Sequence, residues 1–168
     1  MMTVFQENSV TESEKSEIMT DSCFDGVEQQ KKKIVFVCTG NTCRSPMAEI
    51  VFNFDYCDSG YVAESAGLAA DGAPMSENAL DALFDEGYRV KGQHLSRPLS
   101  KDIIESADII VGISSSHAMQ IVMANPEYAA KVYCMPFGIA DPYGRSLEVY
   151  KACLWDIKKA LDIIAESL

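Results

Sequence analysis

The sequence predicts a single-domain α/β protein in three layers, a parallel sheet with helices on both faces. Three observations lead there. Strand-like runs alternate with amphipathic helical stretches, the pattern left by parallel strands joined through right-handed crossovers. The runs at residues 34–37 and 108–113 are almost wholly apolar, as strands buried on both faces must be. The chain has 168 residues and 48% hydrophobic content, ample for one core and short for two domains.

Residues 1 to about 30 stand apart by composition: Glu7, Glu12, Glu14, Glu17, Asp21, Asp25 and Glu28 face only Lys15, with few large apolar residues between them. This stretch reads as an acidic, flexible tail ahead of a folded domain over residues 32–168. Ile34, Val35, Phe36 and Val37 form the first strand. Ser45-Pro46 reads as a helix start, because proline suits the first helical position, so residues 38–44 make a tight turn between strand and helix. Along that helix Met47, Ile50, Val51 and Phe54 share one face. A weak second strand from Tyr61 to Ser65 stops at Ala66-Gly67. A second helix carrying Leu80, Leu83 and Phe84 starts near Ser76 and is stopped by Gly87. The strand at residues 108–113 leads into a helix that ends before Pro126, with Met119, Val122 and Met123 read as core filler. Lys131 to Met135 is the last strand. Leu147, Tyr150, Leu154, Ile157, Leu161 and Ile164 then step by three and four along a C-terminal helix, with Trp155 off the stripe.

The first turn carries the chemistry. A strand-to-helix turn aims backbone N–H groups and the positive end of the helix dipole at one point, here in front of Cys38, and that point suits an anion. Arg44 offers a planar fork for two oxygens of a tetrahedral oxyanion, and its charge favours the thiolate of Cys38. Gly40 supplies backbone freedom, and Asn41 tolerates a left-handed conformation. Thr39, Gly40, Asn41, Thr42, Cys43 and Arg44 are thus read as a phosphate cradle around a nucleophile, with phosphate or sulfate as the expected occupant.

In Cys38-Thr39-Gly40-Asn41-Thr42-Cys43-Arg44-Ser45-Pro46 the chain resembles the low-molecular-weight protein tyrosine phosphatase family, of the bacterial type, and the resemblance runs from near Lys33 to the C-terminus. It implies a four-stranded parallel sheet in the order 2-1-3-4 and hydrolysis through a phosphocysteine at Cys38. It also implies that Ser45 donates to the Cys38 sulfur, and that Asn41, Ser65 and His94 form a network fixing the loop. His94 reads equally well as plain surface chemistry. Ligands of such sheets bind beyond the carboxyl ends of the strands, which gathers Cys38, Ser65, Ser114 to Ser116 and residues 141–144 at one edge. The resemblance puts the general acid at Asp141, one carboxyl group serving first the leaving atom and then water. Asp141-Pro142-Tyr143-Gly144 also reads as an ordinary β-turn. His117 is assigned to a helix start, without catalytic duty.

The rim departs from the family pattern. Leu68-Ala69-Ala70-Asp71 stands where many members place an aromatic wall, which leaves Tyr143 as the other wall. Thr42 resembles the arginine-phosphatase branch of the family. Protein phosphotyrosine is the first expected substrate and protein phosphoarginine the second. Arsenate reduction is disfavoured, since no cysteine lies between Cys57 and Cys134 to resolve a thiol adduct. A non-catalytic phospho-residue binding module is disfavoured by the presence of nucleophile, arginine, serine and acid together. Cys43 is a candidate for a protective disulfide with Cys38 under oxidation.

A net charge of −11 argues against a nucleic-acid partner. The six cysteines include no Cys-x-x-Cys pair, and His94 and His117 lie far from any cysteine cluster, so neither a metal nor a cofactor is expected. No apolar run approaches the roughly 18 residues of a membrane span, and the start does not resemble a secretory signal. The expectation is a cytoplasmic protein with reduced thiols, a monomer or weak dimer, whose partner is a phosphorylated protein.

Overall fold

The computed structural model describes residues 30–168, so most of the acidic stretch over residues 1–31, with Cys23, lies outside the described residues. The elements are β1 (Lys32–Cys38), α1 (Arg44–Asp55), β2 (Tyr61–Gly67), α2 (Glu77–Asp85), α3 (Lys101–Ser106), β3 (Ile109–Gly112), α4 (Ser115–Ala124), a 3-10 turn (Pro126–Lys131), β4 (Val132–Cys134) and α5 (Leu147–Ser167). All strand pairs are parallel, in the order β2-β1-β3-β4 expected from the sequence. The register pairs Cys38 with Gly67, Val37 with Gly112, and Gly112 with Cys134, so the carboxyl ends of all four strands reach one edge together.

Side chains of β1 alternate between two cores, as the period of two requires. Ile34 and Phe36 point into a large core with Met47, Phe52, Leu83 and Leu154, built by α1, α2 and α5. Val35 and Val37 point into a smaller one with Ile104, Ile110 and Ile121, built by α3 and α4. The sheet is therefore covered on both faces. No helix among the described residues is long and apolar enough to cross a membrane.

Several faces differ from the spacing-based expectation. Phe54 is 61% exposed and packs edge-on against Tyr88, while Phe52 takes the core position against Phe36 at 5.8 Å between ring centres. The buried stripe of α1 is Met47, Ala48, Val51 and Phe52, because Arg44 and Ser45, buried in its first turn against the loop, fix the rotation of the helix. On α2 the small residues Ala79 and Ala82 are buried with Leu83, whereas Leu80 and Phe84 face outward. Met119 and Met123 are not core filler: both are largely exposed. The reason is close packing on the other side of α4, where a Cβ at Gly112 would lie 2.5 Å from the Ala118 nitrogen, so the helix turns its small face and Ile121 to the sheet. The short helix α3 was not anticipated. The stripe on α5 holds, with Tyr150, Leu154, Ile157 and Leu161 buried.

Candidate active site

β1 carries Cys38, 3% exposed, to the edge where the strands end. α1 begins at Arg44 with Cys43 as its N-cap, so Pro46 is the third helical residue and not the first. Proline is tolerated there because the first four helical N–H groups have no intrahelical acceptor in any case. The loop bends at Asn41, whose φ of 54° is the only positive φ of a non-glycine among the described residues. Gly40 does not supply that freedom: its φ is not in the left-handed region, and a Cβ would meet Thr42 Oγ1 at an ordinary 3.6 Å. The glycine the loop does need is Gly67, where a Cβ would stand 2.7 Å from the Thr39 carbonyl oxygen. That close approach lets the Leu68 and Ala69 N–H groups donate to the Cys38 and Thr39 carbonyls at 2.9 and 2.8 Å.

Asn41 is the hub beneath the loop. Its Oδ1 accepts the Arg97 backbone N–H at 3.0 Å, and since that partner can only donate, the amide orientation is fixed. Nδ2 then donates to both Ser45 Oγ and Ser65 Oγ, each at 2.9 Å. Ser65 in turn donates to Glu49 at 2.5 Å. With an amide proton already directed at its oxygen, Ser45 has its own proton available for the Cys38 sulfur at 3.0 Å, nearer than the Ala66 carbonyl at 3.4 Å. The Asn41 N–H also points at the sulfur, at 3.3 Å. His94 Nε2 lies 3.0 Å from the Asn41 carbonyl, which accepts only, so that nitrogen carries a proton. Asn41, Ser65 and His94 are thus brought together, and no buried side-chain polar atom among the described residues lacks a partner.

Arg44 is buried to 8% exposure in the first turn of α1, and its Nη2 donates to Asp141 Oδ2 at 2.7 Å. Asp141 Oδ1 accepts the Tyr143 N–H at 3.2 Å, Arg145 N–H bonds back to the Pro142 carbonyl at 3.0 Å, and Gly144 takes a φ of 71°. Residues 141–144 are therefore a turn, and the turn is what aims the carboxylate over the loop. Cys38, Thr42, Arg44, Asp71, Asp141 and Tyr143 border a cavity of about 460 Å³. Tyr143 is 74% exposed and the aromatic wall of that cavity. Cys43 is a free thiol beside it, 3.3 Å from the Tyr150 hydroxyl and bonded to Ser76 Oγ. Burial and that contact push the Tyr150 hydroxyl up to about 12.

His117 is more than a helix start. It is 5% exposed, with Nε2 3.0 Å from Thr39 Oγ1 in the loop and Nδ1 2.7 Å from Ser114 Oγ, the N-cap of α4. Burial, and then the charge of Arg44, hold its imidazole below the ordinary histidine range. Glu49 is shifted the opposite way, upward, by burial. Sequence reasoning missed Glu49, Arg97 and His117. Each had a faint signal: Glu49 is four residues after Ser45, hence on the same helix face; Arg97 closes the His94-Leu95-Ser96-Arg97 segment; and Ser114 precedes His117 by the spacing of a cap. No cluster of three or more potential metal-ligating His, Cys, Asp or Glu side chains occurs among the described residues.

Comparison with known proteins gives a consistent set of relatives. The sequence model of the family described as low molecular weight phosphotyrosine protein phosphatase matches residues 33–168. A protein-arginine-phosphatase of Bacillus subtilis is 32% identical over 152 residues, covering 80% of this chain and 95% of that protein. An arsenate reductase of Brevibacillus brevis is 32% identical over 139 residues, covering 83% and 98%. Among solved structures, a low molecular weight protein tyrosine phosphatase from T. tengcongensis superposes with a TM-score of 0.76 at 36% identity, covering 82% of this chain and all of that one.

Proposed function

Because this chain belongs to the low molecular weight phosphotyrosine protein phosphatase family of cysteine phosphatases, we propose that it dephosphorylates protein side chains through a phosphocysteine at Cys38, with phosphoarginine preferred to phosphotyrosine. The observation that carries the preference is the composition of the rim. Two carboxylates, Asp71 and Asp141, border the cavity, and Ala69 and Ala73 leave Tyr143 without a facing ring. A guanidinium leaving group brings N–H donors to match carboxylates, whereas a phenol brings a π-face that finds only one wall. The relatedness to a protein-arginine-phosphatase and Thr42 in the loop support the same choice. Family membership and Tyr143 support phosphotyrosine as the second reading.

In the proposed mechanism the loop N–H groups and Arg44 hold the phosphoryl oxygens while the Cys38 thiolate attacks phosphorus in line. The entering phosphoryl group competes with Asp141 for the Arg44 guanidinium, and the released carboxylate, which faces the departing atom, takes up a proton from solvent. The S–P bond forms as the P–N or P–O bond breaks, and the Asp141 proton goes to the leaving nitrogen or oxygen. Water then attacks phosphorus and gives its proton to Asp141, the S–P bond breaks, and Ser45 and the Asn41 N–H receive the returning thiolate. We assign this chemistry to residues 32–168, with residues 1–31 as a tail outside it, and place it in a reducing compartment such as the cytoplasm, where Cys38 stays reduced.

The test compares phosphate release from matched peptides carrying phosphoarginine or phosphotyrosine. The arginyl peptide is expected to have the higher kcat/KM, Asp71→Asn to lower that value selectively, and Thr42→Ile to shift the ratio toward phosphotyrosine. Negligible phosphoarginine turnover, with a ratio unmoved by Thr42→Ile, would refute the preference.

A further inference from the structure

A second cleft, of about 350 Å³, adjoins the catalytic cavity and shares Ser76 and Tyr143 with it. Arg145 lines this cleft. The other arginines of the described residues are engaged: Arg44 with Asp141, Arg89 with backbone carbonyls and the Phe84 ring, Arg97 with Glu64 and the Ser65 carbonyl. Arg145 differs. Its carbonyl accepts Asn78 Nδ2 at 3.0 Å and its N–H is held by Pro142, yet its guanidinium has no ion-pair or hydrogen-bond partner among the described residues. Arg145 is exposed, and among the described arginines it alone is held at its backbone with its guanidinium left free, beside the catalytic mouth.

The same cleft receives the N-terminus of α2. Ser76 caps that helix without a side-chain hydrogen bond, so the first-turn N–H groups at Glu77 and Asn78 lack a side-chain acceptor and present the positive end of the helix dipole. Two positive sources from two separate elements thus line a cleft that shares Ser76 and Tyr143 with the nucleophile's cavity. Glu77 lines the cleft as well and opposes them with its own carboxylate.

We propose that this cleft is a substrate subsite for an acidic side chain, an aspartate or glutamate next to the phosphorylated residue, held by Arg145 and the α2 N-terminus. The proposal rests on the phosphatase reading above. Ser76 and Tyr143 border both cavities, so a substrate that inserts its phosphorylated side chain into one brings a chain neighbour to the mouth of the other. Neighbouring Cα atoms about 3.8 Å apart keep the two side chains within reach of the two cavities.

The experiment uses the full chain and peptides with one phosphorylated residue flanked on both sides by Glu, by Gln or by Lys. The Glu peptide is expected to exceed the Gln peptide in kcat/KM by about threefold to fivefold at low ionic strength, with the Lys peptide lowest. Salt should erase the difference, since the pairing is solvent-exposed. Arg145→Glu should invert the order, and Glu77→Gln should widen the preference for Glu. Phosphate release from phenyl phosphate by the wild-type chain, lost in Cys38→Ser, tests the phosphatase reading separately. If that activity is present but the three peptides are hydrolysed alike, or the Glu preference survives Arg145→Glu or shrinks in Glu77→Gln, the subsite is wrong and the phosphatase reading stands. Absence of phosphate release from every substrate would overturn both.

Discussion

Below the Cys38 sulfur, Asn41, Ser45 and Ser65 have no exposed surface, and Asn41 alone makes hydrogen bonds to five different residues. Above it, the Asp141 side chain is 56% exposed and Tyr143 more so, held by a single turn. Floor and rim therefore resist change to different degrees. A floor closed to solvent must have every polar atom paired, because an unmet donor there costs roughly 1–3 kcal/mol. At the rim, solvent replaces any lost partner at little cost. The groups proposed to hold phosphorus sit where substitution is expensive, and those that meet the rest of the substrate sit where it is cheap.

The sharpest way to break this contrast is to mutate one residue from each layer and read both activity and stability. Asp141→Asn is expected to lower kcat by roughly 10²–10⁴-fold on substrates with poor leaving groups, the range for loss of a general acid. Its stability should move by about 1 kcal/mol or less, since asparagine keeps an acceptor for Arg44. Asn41→Ala should do the reverse in kind: it removes three side-chain hydrogen bonds and puts alanine at a φ of 54°. A loss of roughly 3–5 kcal/mol follows from those two effects together. Urea melts beside phosphate-release assays settle the comparison, and equal destabilisation by both variants would refute it.

How much was visible beforehand follows the same division. The strand, the loop and Arg44 were legible because several adjacent residues each demand the same backbone, and the strand order followed from family resemblance. What was misread depended on contacts remote in sequence. Gly40 and Asn41 both looked able to bend the loop; only Asn41 takes the left-handed conformation, and the glycine that packing requires is Gly67, on β2. Met119 and Met123 fit a helical stripe by spacing, yet Gly112 and Ala118 decide which side of α4 meets the sheet. Glu49 and His117 look like ordinary surface residues in the chain and become site residues only when β2 and α4 bring Ser65 and Ser114 against them.

Those two side chains also give the floor a pH signature. Burial and Arg44 hold His117 below its ordinary 6.5, so as pH falls through that value the unfolded chain binds a proton that the folded chain refuses. Stability through His117 therefore rises with pH and is lost below about pH 6.5. Glu49 is raised above 4.5 by burial, so the folded chain keeps a proton that the unfolded chain has released. Its contribution has the opposite sign and declines as pH rises above 4.5. His117→Gln should accordingly flatten the acid limb of stability against pH without touching the Glu49 limb. Urea midpoints collected between about pH 4 and 8 would show it, and an unchanged acid limb would mean that His117 is not the proton-refusing group.

The smallest effect belongs to Tyr143, and it tests the rim most directly. Alanine at 143 keeps the N–H that bonds Asp141 Oδ1, so the proposed acid stays aimed while the ring is lost. A ring that touches the leaving group equally before and during reaction changes KM and leaves kcat alone. Stacking against a phenol is worth about 0.5–1.5 kcal/mol and against an exposed guanidinium about 0.5–1 kcal/mol, so Tyr143→Ala should raise KM several-fold for either substrate. A large fall in kcat with KM unchanged would instead mean that the ring positions the acid, and the rim would then share the rigidity that the floor alone is argued to have.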